Sequence, residues 1–276
     1  MAEQMKNFLK KTKSIFFADP AFLYEENKHL LKQSFVFFGE KNKAVLLIHG
    51  WTSVPYEVRR LGVFLNENGY SIHAPMLRGH GTTPKDLEGI KWTDWISDLQ
   101  KEYLEMKKKY QKVFIGGTSI GSNLAIMMAK NNPDVSGVIL LAAPYKIKLE
   151  RFMNYFAKIH LFSKKYKKKF YPPTFGASTT ITRLISYQSY PVVSALETFN
   201  LVKTSRKYLK DIHQPCLIIQ SAHDHIVYKK SAEKIYEKIS SKIKKVCYIE
   251  KAYHTFISDI KNENIFEKIL DFLDKN

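Results

Sequence analysis

Residues 112–130 read KVFIGGTSIGSNLAIMMAK, an apolar run that reaches a G-x-S-x-G motif and continues into a second apolar stretch. The first part has the composition of a buried strand, and the second is typical of a helix. Ser119 therefore lies on a sharp strand-to-helix turn, where Gly117 and Gly121 let the two elements approach closely. The helix would point free N–H groups and its positive dipole end at the serine. The segment predicts a nucleophilic serine at the edge of a sheet.

The alternation of strand and helix continues on both sides of this segment. The apolar runs lack polar alternation, which is typical of parallel strands covered on both faces. We predict strands at 34–39, 43–50, 71–75, 112–117, 137–144, 216–222 and 245–250. We predict helices at 56–68, 92–110, 122–131, 231–239 and 264–273. The pattern indicates an α/β fold with a mostly parallel central sheet flanked by helices.

One long stretch interrupts this alternation. Some 70 residues separate the strand that ends near Pro144 from the strand that begins at Cys216. A crossover usually needs about 25 residues, so the excess is an insertion, with short helices predicted at 148–160 and 192–208. We therefore divide the chain into a basic arm (1–33), an α/β core (34–144 and 211–276) and a basic helical cap (145–210).

The positive charge is concentrated in the arm and the cap. The net charge is +18, and residues 145–210 carry 14 Lys+Arg against 2 Asp+Glu, mixed with 13 Phe and Tyr. Lysines that alternate with aromatic residues are typical of surfaces that contact anionic membranes. A basic lipid-binding or nucleic-acid-binding protein stays an alternative, although the chain has only 6 Arg, and no specific nucleic-acid partner is expected.

Composition also limits the fold class and the compartment. With 45% hydrophobic residues the chain cannot be disordered. Its two cysteines, Cys216 and Cys247, both lie in apolar strands, so we expect them to be reduced and the protein to be cytoplasmic. The apolar stretch near the N-terminus is too short for a secretory signal, and no run approaches the length of about 20 residues that spans a membrane.

A serine nucleophile needs a base and an acid, and both follow it in the chain. Asp224 comes just after the predicted strand 216–222, and His254 lies four residues after the predicted strand 245–250. Both are therefore on loops at the carboxyl edge of the sheet, where they should meet Ser119. Asp211 and Asp259 are weaker candidates for the acid because neither directly follows a strand. His223 and His225 flank Asp224 and would form a metal pair only with a third ligand, which no local spacing supplies.

The strand at 43–50 ends on the same edge and supplies a second loop. Its HGWT sequence (49–52) places the backbone N–H of Trp51 where it joins the N–H of Ile120 as an oxyanion donor. Gly50 turns the chain at this point. His49 is expected to orient the loop by hydrogen bonding.

The motifs in series resemble the α/β-hydrolase superfamily. They are HGWTSVPYEVRRLGVFLNENGY (49–70), PMLRGHGTTPKDL (75–87), W-x-x-W (92–95), GTSIGS (117–122), LLAAP (140–144), HDHIV (223–227) and YHTF (253–256). The chain is most similar to bacterial carboxylesterases and monoacylglycerol lipases with a small helical cap. Two departures are Ser122, where such enzymes usually have Gly, and Tyr228, where Pro often follows the acid.

The resemblance implies an activity and its residues. It implies a serine hydrolase that cleaves short- to medium-chain acyl esters through an acyl-enzyme intermediate, with Ser119, Asp224 and His254 as catalytic residues and no cofactor or metal. Thioester cleavage or another acyl transfer on the same fold stays open. The acyl pocket should be lined from the cap, with Met153, Phe156, Phe162, Phe175 and Leu184 as candidates.

Overall fold

The structure is a computed structural model that describes residues 33–147, 155, 165–169, 185–228, 230–250, 252–258 and 264–276. Its strands are β1 (Phe35–Phe37), β2 (Lys43–Ile48), β3 (Ser71–Ala74), β4 (Lys112–Thr118), β5 (Gly137–Leu141), β6 (Tyr166–Lys168), β7 (Ser189–Pro191), β8 (Cys216–Ser221) and β9 (Lys244–Ile249). Its α-helices are α1 (Arg59–Glu67), α2 (Trp92–Lys109), α3 (Ile120–Asn131), α4 (Val192–Lys207), α5 (Ser231–Lys238) and α6 (Asn264–Lys275). None of the helices in these ranges is long and apolar enough to cross a membrane.

Seven strands form one sheet in the order β1-β3-β2-β4-β5-β8-β9. β1 pairs antiparallel to β3, and the other pairs are parallel. The parallel direction brings the carboxyl ends of β2, β4, β8 and β9 to one edge, where all four predicted functional loops begin. The mostly parallel sheet flanked by helices is confirmed.

Both faces of the sheet are covered, as the continuous apolar strands predict. Alternate residues of β2 enter opposite clusters, because side chains of a strand alternate between faces. Leu46 packs in a cluster with side chains of α2, α3, α4 and α5. Leu47 packs in the other cluster with side chains of α1 and α6. The central strands are therefore packed on both faces, and they support the loops at the carboxyl edge of the sheet.

The predicted cap is described only in part, and that part differs from a purely helical one. β6 and β7 form a two-stranded antiparallel sheet, with Lys168 opposite Ser189. The sequence missed this sheet because β6 is exposed throughout and leaves no hydrophobic alternation. The helix predicted at 192–208 is present as α4, and its Leu201 packs in the same cluster as Leu124 of α3.

The helix predicted from residue 56 begins later. Residues Pro55–Val58 form a 3₁₀-helix, and the α-helical geometry starts at Arg59. Proline fixes the backbone for a first turn but donates no hydrogen bond there, so a tight turn precedes the regular helix. This turn buries Glu57, which the sequence analysis did not single out.

Candidate active site

Ser119 lies on a strained turn between β4 and α3. Its φ of 53° is in the left-handed region, which is uncommon for a residue with a side chain. The turn is possible because its flanks are small: a Cβ at Gly117 would collide with the carbonyl of Gly121, and a Cβ at Gly121 would collide with the carbonyl of Ile48. The backbone N–H of Ser119 donates to Leu141 O at 2.8 Å, which fixes the turn to β5.

Ser122 explains one departure from the expected motif. Its hydroxyl lies 2.6 Å from Gly117 O and 2.9 Å from Leu141 O, and it accepts the Leu141 N–H at 3.0 Å. A glycine at this position would leave these buried backbone groups without that partner. The Ser122 hydroxyl therefore links the turn to β5 by hydrogen bonds.

Three side chains from three loops meet at the edge of the sheet. His254 Nε2 lies 2.9 Å from Ser119 Oγ, and His254 Nδ1 lies 2.7 Å from Asp224 Oδ2. Asp224 follows β8 and His254 follows β9, as the sequence predicts. Ser119 is only half-buried, so its hydroxyl is accessible beside an almost fully covered histidine and carboxylate. The arrangement can pass a proton from the serine to an imidazole whose tautomer the carboxylate fixes.

The carboxylate of Asp224 is held in its charged form. Burial would raise its pKa, but the charge and hydrogen bond of His254 and the N–H groups of Val227 and Ile226 outweigh it, so the pKa lies below its ordinary value. Both N–H groups donate to Oδ1 at 2.8 Å. Gln220 Nε2 also donates to Oδ2 at 3.0 Å. The negative charge is therefore fixed before any reaction begins.

His254 is tuned in the opposite direction by the same contact. Burial alone would lower its pKa, but the charge and hydrogen bond of Asp224 and the charge of Glu57 raise it above the ordinary histidine value. An imidazole with a raised pKa accepts a proton more readily. The local electrostatics therefore favour the protonated form that follows proton transfer from Ser119.

The loop after β2 faces the turn that carries Ser119. The N–H of Ile120 lies in the first turn of α3, where a helix leaves its N–H groups without intrahelical partners. The Trp51 indole Nε1 donates to Ser194 Oγ at 2.9 Å, and its ring lies 4.6 Å from the ring of Tyr190. The side chain of Trp51 is thus anchored on α4 and β7, which holds its peptide beside the turn.

His49 is placed to orient this loop. Its Nδ1 contacts Gly50 O at 2.8 Å and its Nε2 accepts the Leu77 N–H at 3.1 Å. Burial lowers the pKa of His49 to about 4, so the ring is neutral near neutral pH. Both ring nitrogens are therefore used in linking two loops.

Three residues near the site were missed by the sequence analysis. Glu57 is buried and accepts the Gly50 N–H at 2.7 Å. Gln220 is a polar residue inside a buried strand, four residues before the acid, and that position was the signal that could have revealed it. Lys169 is half-buried, and burial lowers its pKa to about 8. Its charge acts on both Glu57 and His254.

The remaining candidates fall into two groups. The proposed pocket residues lie outside the described residues; they are Met153, Phe156, Phe162, Phe175 and Leu184. Asp211 is the exposed last residue of a 3₁₀-turn, and Asp259 also lies outside the described residues. Within the described ranges no three His, Cys, Asp or Glu side chains converge as metal ligands, and the His225 ring lies 6.3 Å from the ring of Tyr253.

The chain matches one hydrolase family and resembles two curated bacterial proteins along most of its length. The model of the family described as serine aminopeptidase S33 matches residues 39–261. A thermostable monoacylglycerol lipase of Bacillus sp. strain H-257 is 28% identical over 242 residues, which cover 87% of this chain and 94% of that protein. A carboxylesterase of Bacillus subtilis strain 168 is 28% identical over 249 residues, 90% and 98% of the two chains.

A solved structure supports the fold independently. A structure from work on two metagenome-derived lipolytic enzymes, LipS and LipT, superimposes with a TM-score of 0.80 at 24% identity. The match covers 89% of this chain and 98% of the other. The long coverage on both sides means that the two proteins share the same fold.

Proposed function

This chain belongs to the serine aminopeptidase S33 family of α/β-hydrolases, and we propose that it is a serine ester hydrolase in which Ser119, His254 and Asp224 are the catalytic residues. The observation that carries the proposal is the continuous contact from Ser119 Oγ to His254 Nε2 (2.9 Å) and from His254 Nδ1 to Asp224 (2.7 Å). The curated relatives, a monoacylglycerol lipase and a carboxylesterase, support an ester substrate.

The reaction follows from these positions. His254 takes the proton of Ser119 as the hydroxyl oxygen attacks the ester carbonyl. The N–H groups of Trp51 and Ile120 bind the negative oxygen of the tetrahedral intermediate. His254 then gives its proton to the leaving alcohol, which leaves an acyl group on Ser119. Water, activated by the same histidine, attacks the acyl-enzyme and releases the acid.

The substrate that we propose is a short- to medium-chain acyl ester, such as a monoacylglycerol. The residues 145–210 would form a cap over the edge of the sheet and line the acyl pocket. The described part supports this placement, because the Tyr187 N–H donates to Thr52 O at 2.9 Å and Tyr187 Oη donates to Gly79 O at 3.1 Å. This part of the cap therefore touches the loop after β2, which carries Trp51, and the loop after β3.

Hydrolysis of p-nitrophenyl esters with two to sixteen acyl carbons tests the proposal. The wild-type protein should hydrolyse these esters, fastest at one acyl chain length, and Ser119→Ala should be inactive. Ser240→Ala is the matched control, since this exposed serine donates its hydroxyl to Lys210 O. A parallel series of acyl thioesters separates ester hydrolysis from thioesterase activity. Equal rates for wild type and Ser119→Ala at every length would contradict the proposal.

We also propose that the protein is cytoplasmic and that its basic surface contacts anionic membranes. Cys216 and Cys247 are free and buried, in keeping with a reducing compartment. Lys165, Lys167 and Lys168 are exposed on the β6 segment beside Tyr166, an arrangement suited to a lipid surface. Each lysine near such a surface contributes about 1 kcal/mol.

Sedimentation with vesicles tests the membrane contact. Vesicles with phosphatidylserine should retain the protein, whereas phosphatidylcholine vesicles should not. Replacing Lys165, Lys167 and Lys168 by Gln should reduce the bound fraction. The same change at Lys101, Lys108 and Lys109 of α2 is the control. Equal binding by both triple variants would contradict a role for the β6 lysines.

A further inference from the structure

Glu57 is a buried carboxylate that the proton relay does not include. Its residue is 3% exposed, and it lies in the 3₁₀-turn that follows the loop after β2. A buried carboxylate is costly unless its contacts compensate for lost hydration. Its Oε2 accepts the Gly50 N–H at 2.7 Å, and this amide is the one directly before Trp51 in the chain. We propose that Glu57 is a positioning residue, which aims the Trp51 amide through Gly50 and places a second negative charge near His254.

The first part of the proposal is geometric. The Gly50 N–H and the Trp51 N–H belong to successive peptides, so a hydrogen bond that fixes the first peptide limits how the second can turn. A charged acceptor makes a short, strong bond of this kind. Thr52 Oγ1 donates to Trp51 O at 2.6 Å and therefore holds the far side of the same loop. The Trp51 N–H is thus constrained from both sides.

Only a glycine separates Glu57 from the nucleophile along this line. A Cβ built at Gly50 would lie 3.2 Å from Glu57 Oε2 and 3.6 Å from Ser119 Cβ. The carboxylate is therefore close behind the space where the ester carbonyl must sit, yet it is shielded from solvent. This placement suits a group that shapes the site and leaves proton transfer to others.

The second part of the proposal is electrostatic. The charges that act on His254 are those of Asp224, Glu57 and Lys169: the two carboxylates raise its pKa and the lysine lowers it. Burial raises the pKa of Glu57 above its ordinary value, although the Gly50 N–H, the charges of His254 and Lys169 and a hydrogen bond from Ser53 oppose this shift. In its ionised form Glu57 stabilises the imidazolium that forms when Ser119 attacks.

The two roles make different demands, and substitutions separate them. Glu57→Gln keeps an oxygen acceptor for the Gly50 N–H and removes the charge. Glu57→Asp keeps the charge and withdraws the acceptor by one methylene group. Glu57→Leu keeps most of the volume and removes both. Glu102→Gln is the matched control, since Glu102 also contacts a histidine, His73, at 2.6 Å but lies away from Ser119.

The measurements are kcat, KM and the pH profile of kcat/KM, with active sites counted by a serine-directed phosphonate so that unfolded protein is not scored. For Glu57→Leu we expect kcat to fall at least about tenfold with little change in KM, because the oxyanion donor is misaimed. For Glu57→Gln we expect a smaller fall. We also expect its acid limb to move to lower pH by at least about 0.3 unit, since the pKa of His254 drops. Glu57→Asp should keep the wild-type acid limb and lose kcat.

Several outcomes overturn the proposal. The positioning role is wrong if kcat per active site is the same for Glu57→Leu and Glu57→Gln. The electrostatic role is wrong if the acid limb of Glu57→Gln superimposes on that of wild type. If Glu57→Gln and Glu57→Leu do not fold, kcat per active site is measured for Glu57→Asp instead. A kcat equal to that of wild type would then contradict the positioning role. The proposal rests on the proposed ester hydrolysis, and failure of that function appears separately, as wild-type protein that neither cleaves esters nor reacts with the phosphonate.

Discussion

His254 and His73 each contact a carboxylate through Nδ1, at 2.7 Å from Asp224 and at 2.6 Å from Glu102. The pairs differ in what surrounds them. The side chain of Asp224 is 2% exposed, whereas that of Glu102 is 35% exposed. The second nitrogen of His254 reaches Ser119 at 2.9 Å, whereas that of His73 is 3.4 Å from a tyrosine hydroxyl. The contact with a carboxylate is therefore common to both, and burial beside a strained serine is what distinguishes the site.

Replacing each histidine by alanine should give the largest contrast. His254→Ala removes the base, and we expect kcat/KM to fall by about 10⁴-fold or more. His73→Ala should stay within about twofold of wild type because no reacting atom is near it. Steady-state kinetics on the preferred p-nitrophenyl ester measures both variants. Comparable losses in the two variants would mean that the site is not where we place it.

Replacing each carboxylate by its amide should also affect the two pairs differently. Asp224→Asn keeps the shape but offers an amide where Nδ1–H needs an acceptor, so His254 can adopt the wrong tautomer. We expect kcat to fall by about 10³- to 10⁴-fold. Glu102→Gln makes the same chemical change in the pair of Glu102 with His73 and should leave kcat unchanged. A mild effect of Asp224→Asn would argue that Asp224 does not orient the base.

The pH dependence tests the tuning of the buried pair. The pKa of His254 is raised above the ordinary histidine value of 6.5, and only the neutral ring can accept the serine proton. Activity is therefore lost as pH falls through the raised pKa, by about tenfold per unit below it. The kcat/KM profile of wild type and of Glu102→Gln should share one midpoint above 6.5. A midpoint below 6.5 would contradict the role of Asp224.

Stability should show the smallest difference between the pairs. Asp224→Ala leaves the N–H groups of Ile226 and Val227 without their acceptor, so we expect the free energy of unfolding to fall by about 1–3 kcal/mol. Glu102→Ala removes a carboxylate whose side chain is 35% exposed, so we expect a smaller loss of about 0–1 kcal/mol. Urea unfolding followed by tryptophan fluorescence measures both. Equal losses would show that burial adds nothing to the Asp224 contacts.

The sequence predicted the elements that carry the proposed site closely. Ser119 and Asp224 could be chosen because each comes just after an apolar strand, and His254 because it lies in the loop that follows a strand. Parallel strands bring such positions to one edge. Strand bounds agreed within a few residues for the same reason. The resemblance to a known family then agreed with the residues chosen on physical grounds.

The features that the sequence did not reveal depend on tertiary contacts. Glu57 falls inside the helix predicted at 56–68, and nothing in the sequence marks it as buried; in the structure it lies in the 3₁₀-turn Pro55–Val58 and is buried. The β6–β7 sheet has short, exposed strands with no detectable period. Ser122 appeared as a departure from a motif, and its hydrogen bonds to Gly117 and Leu141 become visible only when β4 and β5 are adjacent.

Labelling with a fluorophosphonate shows whether Ser119 is the activated nucleophile. The reagent requires a serine that a base has activated, and peptide mass spectrometry locates the adduct. We predict one label per chain, on Ser119 in the peptide 113–130, and none in His254→Ala. A label on Ser122 or on any other serine, or no label on wild-type protein, would contradict the account.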